Sequence, residues 1–165
     1  NLYQLAKHKK KIKPGKIKFL GVDYDAVHIR NTDYKSEYAT FLERVKMKTL
    51  GRRILLSTDN PDVIYLAKET MKQTEIVEIE KYFPKSKRKS GPLHFQWGMS
   101  KETIQLNNII ILADLIGMAK SKNLFYPNLA ENIHQARISG FSLLAENLKS
   151  MPALVDQLMV GKNIA

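Results

Sequence analysis

The chain has 165 residues, which is enough for one domain with a sizeable core, and its apolar fraction of 44% is ordinary for a globular protein. The formal net charge of +11 favours anionic partners, and the lack of cysteine excludes disulfides and thiolate metal sites. The four histidines are scattered without zinc-like spacing. Because no apolar run reaches the roughly 18 residues that span a bilayer, we expect no transmembrane segment and a cytoplasmic protein, at most peripheral to a membrane.

The basic charge is unevenly distributed along the chain. Seven lysines lie between Lys7 and Lys18, and a second basic run covers residues 85–89. Without interleaved aromatic residues, such runs are more typical of solvated loops or of a phosphate-facing rim than of a nucleic-acid interface. We predict a basic N-terminal helix and connector over residues 1–16 and one domain over residues 17–165.

Strands and helices are predicted to alternate along that domain. The predicted strands are residues 16–22, 26–29, 53–57, 75–79 and 123–126. The predicted helices are residues 36–50, 62–73, 101–118, 139–148 and 152–161, and residues 80–100 are predicted to form a long loop at the rim of a cleft. Pro61 is expected in the first turn of the second helix, and Gly51 is expected to end the first.

This alternation predicts an α/β protein with a three-layer, Rossmann-like architecture and a mostly parallel sheet, because consecutive parallel strands need right-handed helical crossovers. Ligands of such sheets bind beyond the carboxyl ends of the strands. That rule places His28, Arg30, Asp59 and the loop before Ser139 along one edge of the sheet.

Two segments of this edge are suited to a diphosphate. Arg30 follows a buried strand, and its guanidinium can donate two hydrogen bonds to adjacent oxygens, although with Asp33 it can equally form a salt bridge. The residues Ser139-Gly140-Phe141-Ser142 open a helix whose free amides and partial positive charge favour anions. An ordinary N-cap is the alternative for Ser139.

Asp114 is a lone carboxylate directly after the apolar run of residues 109–113, in the helix predicted over residues 101–118. Because a buried carboxylate needs hydrogen-bond donors, we expect it either to contact the edge of a guanine base or to bond the backbone under the Ser139 loop.

Four motifs, in this order, resemble those of fucosyltransferases of the α1,6/O-fucosyl type and related bacterial enzymes. They are His28-Ile29-Arg30-Asn31-Thr32-Asp33, Ser57-Thr58-Asp59-Asn60-Pro61, Leu112-Ala113-Asp114-Leu115 and Ser139-Gly140-Phe141-Ser142-Leu143-Leu144-Ala145. The resemblance implies the nucleotide-sugar lobe of a two-lobed (GT-B) glycosyltransferase, with the N-terminal acceptor lobe absent or reduced. It implies a GDP-sugar donor, a glycan or polysaccharide acceptor, and metal-independent, inverting transfer without a cofactor.

The resemblance also implies roles for individual residues. Arg30 would bind the β-phosphate and steady the leaving group, and Asp33 and Asp59 would hold Arg30 and the ribose side in place. His28 would line the pocket, Asp114 would read guanine, and Glu37 is the candidate general base. The implied nucleotide-sugar contacts are completed by Thr58, Ser139, Gly140, Phe141 and Ser142.

Two alternatives remain. The stretch 17–27 resembles the nucleophile strand of haloacid-dehalogenase-like phosphatases, in which Asp23 and Asp25 would be nucleophile and acid/base and magnesium would be required. That mechanism needs a carboxylate where this chain has Asn128. The other alternative is a non-catalytic module that binds nucleotides or polyanions.

Overall fold

Four parallel strands form the centre of the structure, a computed structural model that describes residues 23–30, 37–79, 100–128 and 138–160. The strands are β1 (Asp25–Ile29), β2 (Arg53–Thr58), β3 (Glu75–Val77) and β4 (Leu124–Phe125), in the spatial order β3-β2-β1-β4. The helices in the described part of the chain are α1 (Tyr38–Lys48), α2 (Pro61–Thr70), α3 (Lys101–Lys120), α4 (Gly140–Lys149) and α5 (Pro152–Val160). The predicted α/β, Rossmann-like fold is therefore confirmed.

The strand order reverses beside β1. From β1, the strands β2 and β3 follow on one side, whereas β4 pairs with the other side of β1, with Ala26 opposite Leu124. We call the side where the strands end the carboxyl edge, and the side where they begin the amino edge. In open parallel sheets the point of reversal at the carboxyl edge is the usual place for a ligand.

The helices cover both faces of the sheet. Val27 and Ile29 of β1 pack with residues of α1 and α2, whereas Ala26 packs with residues of α3, α4 and α5. All three β1 side chains are fully buried. Because successive side chains of a strand point to opposite faces, this short apolar strand contributes to two cores at once.

Local sequence signals set the helix ends. Pro61 is the first residue of α2, and the Oδ1 atom of Asn60 caps that helix by accepting a hydrogen bond from the amide of Asp62 at 2.8 Å. Gly51 follows α1 with φ of 73°, in the left-handed region that favours glycine. Both features agree with the predictions from the sequence.

Some element bounds differ from the predictions. The strands predicted at 75–79 and 123–126 are shorter, β3 and β4, because few of their residues pair with a neighbouring strand. The helix predicted as buried, α3, extends to Lys120 and is buried over residues 114–119, but Leu112 is 47% exposed. The predictions for residues 1–22, 80–99 and 129–137 lie outside the described residues, as does the boundary at residue 16.

Candidate functional site at the carboxyl edge

The carboxyl end of β1 contacts the first turn of α4. The Nδ1 atom of His28 shares a hydrogen bond of 2.7 Å with the Oγ atom of Ser142, and both side chains are buried. The His28 ring also lies against that of Phe141, with 5.2 Å between ring centroids. Two segments that are 114 residues apart in sequence are thus held together at the edge where the strand order reverses.

The start of α4 faces the same edge and has a regular cap. The Oγ atom of Ser139 accepts a hydrogen bond from the amide of Phe141 at 3.3 Å, so Ser139 is the N-cap. The amides of Gly140 and Ser142 belong to the first turn, where a helix provides no acceptor of its own. A Cβ atom built at Gly140 meets no atom within 4 Å, so the space beside this turn is open. The arrangement presents amide donors and the positive end of the helix dipole.

Arg30 and Asp59 lie side by side at this edge. Ile29 is paired with Thr58 in the sheet, and Arg30 and Asp59 are the next residues of the two adjacent strands. Both are half-buried. Glu37, the exposed residue that precedes α1, is at the same end of the domain, because α1 ends just before β2 begins at the amino edge and therefore starts towards the carboxyl edge. Asp33 lies outside the described residues.

The hydroxyl of Thr58 both donates and accepts a hydrogen bond within the protein. Its hydroxyl donates to the carbonyl oxygen of Ile29 at 2.7 Å and accepts a hydrogen bond from the amide of Asn60 at 3.2 Å. The side chain is buried and follows Ile54 and Leu56 on the face that packs with α1 and α2. Thr58 therefore joins the ends of β1 and β2, and lies on the face opposite to His28.

Asp114 is buried between α3 and the sheet. Its side chain has no exposed surface, and its Oδ2 atom accepts a hydrogen bond of 2.7 Å from the hydroxyl of Ser57. The bond to a side chain of β2 supports the predicted structural role, and the contact with a guanine base stays a prediction.

Ser57 connects Asp114 to the site. Ser57 and His28 are paired residues of adjacent strands, and both face the layer of α3 and α4. Polar side chains therefore follow one another across the sheet from Ser142 through His28 and Ser57 to Asp114. Because buried polar groups specify geometry when they are satisfied, this row fixes α3 and α4 relative to the carboxyl edge.

Tyr126 lies near α4 at the same edge. It follows β4 at the carboxyl edge and lies close to the carboxylate of Glu146 in α4. Burial, together with the interaction with the negatively charged Glu146 carboxylate, raises the pKa of Tyr126 to about 12. The position of Tyr126 as the last residue of a predicted strand was the signal that could have placed it at the carboxyl edge.

Asp23 and Asp25 lie at the opposite, amino edge. Asp25 begins β1 with a fully buried side chain, whose Oδ1 atom accepts from the side-chain amide of Asn123 at 2.8 Å and whose Oδ2 atom is 3.2 Å from the Nε atom of Arg52. Asp23 is exposed and pairs with the same guanidinium at 2.9 Å. The proposed nucleophile and acid/base are thus partners of an arginine, on the side away from the strand ends where ligands bind, and the geometry does not favour the phosphatase alternative.

Lys149 belongs to the same edge. At the end of α4, its ammonium group donates to the carbonyl oxygens of Ser121 and Lys122, which follow α3. Burial lowers the pKa of Lys149, and the Asp25 carboxylate acts in the opposite direction. Lys149 therefore joins the end of α4 to the end of α3 at the amino edge, beside the pair of Asp25 and Arg52.

Comparison of the chain with protein-family models, with curated proteins and with solved structures finds no match. In the ranges that the structure describes, no helix combines the length and apolar composition needed to cross a bilayer.

Proposed function

We propose that the carboxyl edge binds the diphosphate of a GDP-sugar and that the chain is the donor-binding lobe of a fucosyltransferase-like glycosyltransferase. The observation that supports this most is the hydrogen bond between His28 and Ser142. It brings the end of β1, which carries Arg30, next to the first turn of α4 at the point where strand order reverses. An arginine and helix amides at that point are a suitable combination for adjacent phosphate groups.

The proposed mechanism stabilises the leaving group. An acceptor hydroxyl attacks the anomeric carbon of the sugar, and the bond from that carbon to the β-phosphate oxygen breaks with its electron pair on GDP. The negative charge that develops on the diphosphate is stabilised by the Arg30 guanidinium and by the amides of Gly140 and Ser142. These groups carry out the task without a divalent metal in this proposal, and configuration at the anomeric carbon is inverted.

The remaining roles follow the positions of the side chains. The proton of the acceptor hydroxyl passes to a carboxylate, for which Glu37 is the candidate because it is exposed at the carboxyl edge. Asp59 lies beside Arg30 and orients it. Asp114 has the structural role in this proposal, since its carboxylate is buried against Ser57. The acceptor is proposed to bind on a separate lobe.

Thermal unfolding in the presence of EDTA tests the binding step. A ligand that binds only the native state at about 100 times its Kd stabilises that state by about 2.7 kcal/mol. For a domain of this size that corresponds to a rise in Tm of about 5–10 °C. We expect this rise with GDP and with GDP-fucose, and none with inorganic phosphate at the same concentration.

Matched arginine variants locate the effect. Arg30→Lys keeps the positive charge but loses the bidentate geometry, so it should reduce the shift, whereas Arg44→Lys on the exposed face of α1 should not. Equal shifts in both variants would remove Arg30 from the proposal. No shift with any guanine nucleotide, combined with magnesium-dependent turnover of a phosphate monoester, would favour a phosphatase instead.

A further inference from the structure

Two large apolar side chains are exposed at the end of α1. Met47 is 79% exposed and Leu50, in the turn that follows the helix, is 59% exposed. The same end of the helix carries the cations Arg44, Lys46 and Lys48. We call residues 44–50 the basic–apolar tip. Exposed apolar residues interleaved with cations are typical of surfaces that lie in the interface of a membrane.

The lysine-rich segment joins the fold next to this tip. Residues 1–22 contain seven lysines and no acidic residue, and they lead directly into Asp23. Asp23 is held by Arg52 at 2.9 Å, and Arg52 is two residues beyond Leu50. Two residues span at most about 7 Å of backbone, so Asp23, where the basic segment ends, and the apolar tip are joined through Arg52 on the amino edge.

We propose that the amino edge docks onto an anionic lipid bilayer, with Met47 and Leu50 inserted among the headgroups and the cations Arg44, Lys46 and Lys48 at the charged surface. The seven lysines of the segment that leads into Asp23 add to the positive charge of the chain. Lasting attachment of a peripheral protein takes two signals, and apolar insertion beside a polybasic segment provides both. A nucleic acid would use the lysines but would gain nothing from an aliphatic tip, since its single strands stack on aromatic rings.

The docked orientation has a consequence for the site at the opposite edge. The strands run away from the membrane, so their carboxyl ends, with His28 and the start of α4, face the solution. A soluble donor can then reach the carboxyl edge while the protein stays attached. The membrane proposal does not depend on the identity of that donor.

Co-sedimentation of the full chain with vesicles tests the proposal. We expect binding to vesicles of phosphatidylcholine that contain phosphatidylglycerol, little binding to phosphatidylcholine alone, and release as salt rises to about 0.5 M, where charges are screened over a few ångströms. The double variant Met47→Ser with Leu50→Ser should partition about tenfold more weakly, because it removes the inserted apolar area without changing charge.

A matched control separates insertion from general surface hydrophobicity. Met159 is 43% exposed on α5, in the opposite helix layer, so Met159→Ser should bind vesicles like the unaltered chain. Met47, Leu50 and Met159 are all exposed, so the Tm of each variant should equal that of the unaltered chain. Unaltered binding of the double variant, or equal binding to neutral vesicles, would overturn the proposal. Binding of an oligonucleotide without binding of vesicles would overturn it too and would assign the lysines to nucleic acid.

Discussion

One guanidinium at the amino edge has two carboxylate partners of opposite burial, and this offers a sharp test of the structure. Arg52 is 3.2 Å from the fully buried Asp25 and 2.9 Å from Asp23, whose side chain is 70% exposed. The variants Asp25→Asn and Asp23→Asn each remove one negative charge from the same arginine. The chemistry of the change is identical, so a difference between them reports the burial of Asp25 and its hydrogen bonds to Asn123.

The two losses of stability should differ severalfold. Removing one partner of a buried ion pair costs about 3–5 kcal/mol, and because Arg52 keeps Asp23 and is itself partly solvated, we expect about 2–3 kcal/mol for Asp25→Asn. Exposed pairs contribute little, so we expect about 0.5 kcal/mol or less for Asp23→Asn. In a domain of this size the Tm would fall by about 5–10 °C in the first variant and by about 1–2 °C in the second.

Urea unfolding followed by circular dichroism measures both values. The midpoint should move while the slope with denaturant stays constant, which shows that the native state and not the compactness of the unfolded chain has changed. Below its Tm, Asp25→Asn should bind GDP like the unaltered chain, because Asp25 is at the edge opposite to the proposed site. Equal losses in the two variants would refute the described burial of Asp25, and loss of a phosphatase activity in Asp25→Asn would refute its structural role.

Three further perturbations test the carboxyl edge. Ser142→Ala leaves Nδ1 of buried His28 without this partner and should lower the unfolding free energy by about 1–3 kcal/mol in urea titrations. Gly140→Ala meets no neighbouring atom, so stability should be unchanged or slightly higher, yet calorimetry should show about tenfold weaker GDP binding as the methyl group occupies the diphosphate's place. Spectrophotometric titration should find Tyr126 ionising near pH 12, and at lower pH in Glu146→Gln. Because its pKa is raised from 10.0 on folding, the stability that Tyr126 contributes is complete below pH 10 and is lost as pH rises towards about 12.

Much of the fold could be predicted from local signals. Pro61 fixes the start of α2, Gly51 permits the left-handed turn after α1, and Ser139 caps α4, each through the conformation or hydrogen bonding of one residue. The alternation of β1 and β2 with helices then determined the parallel sheet. The sequence also allowed the prediction that Arg30 and Asp59 lie next to each other, since the carboxyl ends of parallel strands share an edge.

The partners of buried polar residues could not be predicted in this way. Asp114 is bonded to Ser57, 57 residues earlier in the chain, and such a pair depends on how α3 crosses the sheet. Asp25 shows a second limit. An acidic residue between two apolar stretches can end one strand or begin the next, and the pairing of Asp25 with Ile54 places it at the beginning of β1.

Mapping of backbone amide chemical shifts by NMR during addition of GDP, in EDTA, tests the central proposal most directly. If the diphosphate binds between β1 and α4, the largest changes should occur at Arg30, Gly140 and Ser142, and the amides of Arg53 and Asn123 at the amino edge should stay unchanged. Changes centred on the amino edge, or none at saturating GDP, would contradict the proposed nucleotide site.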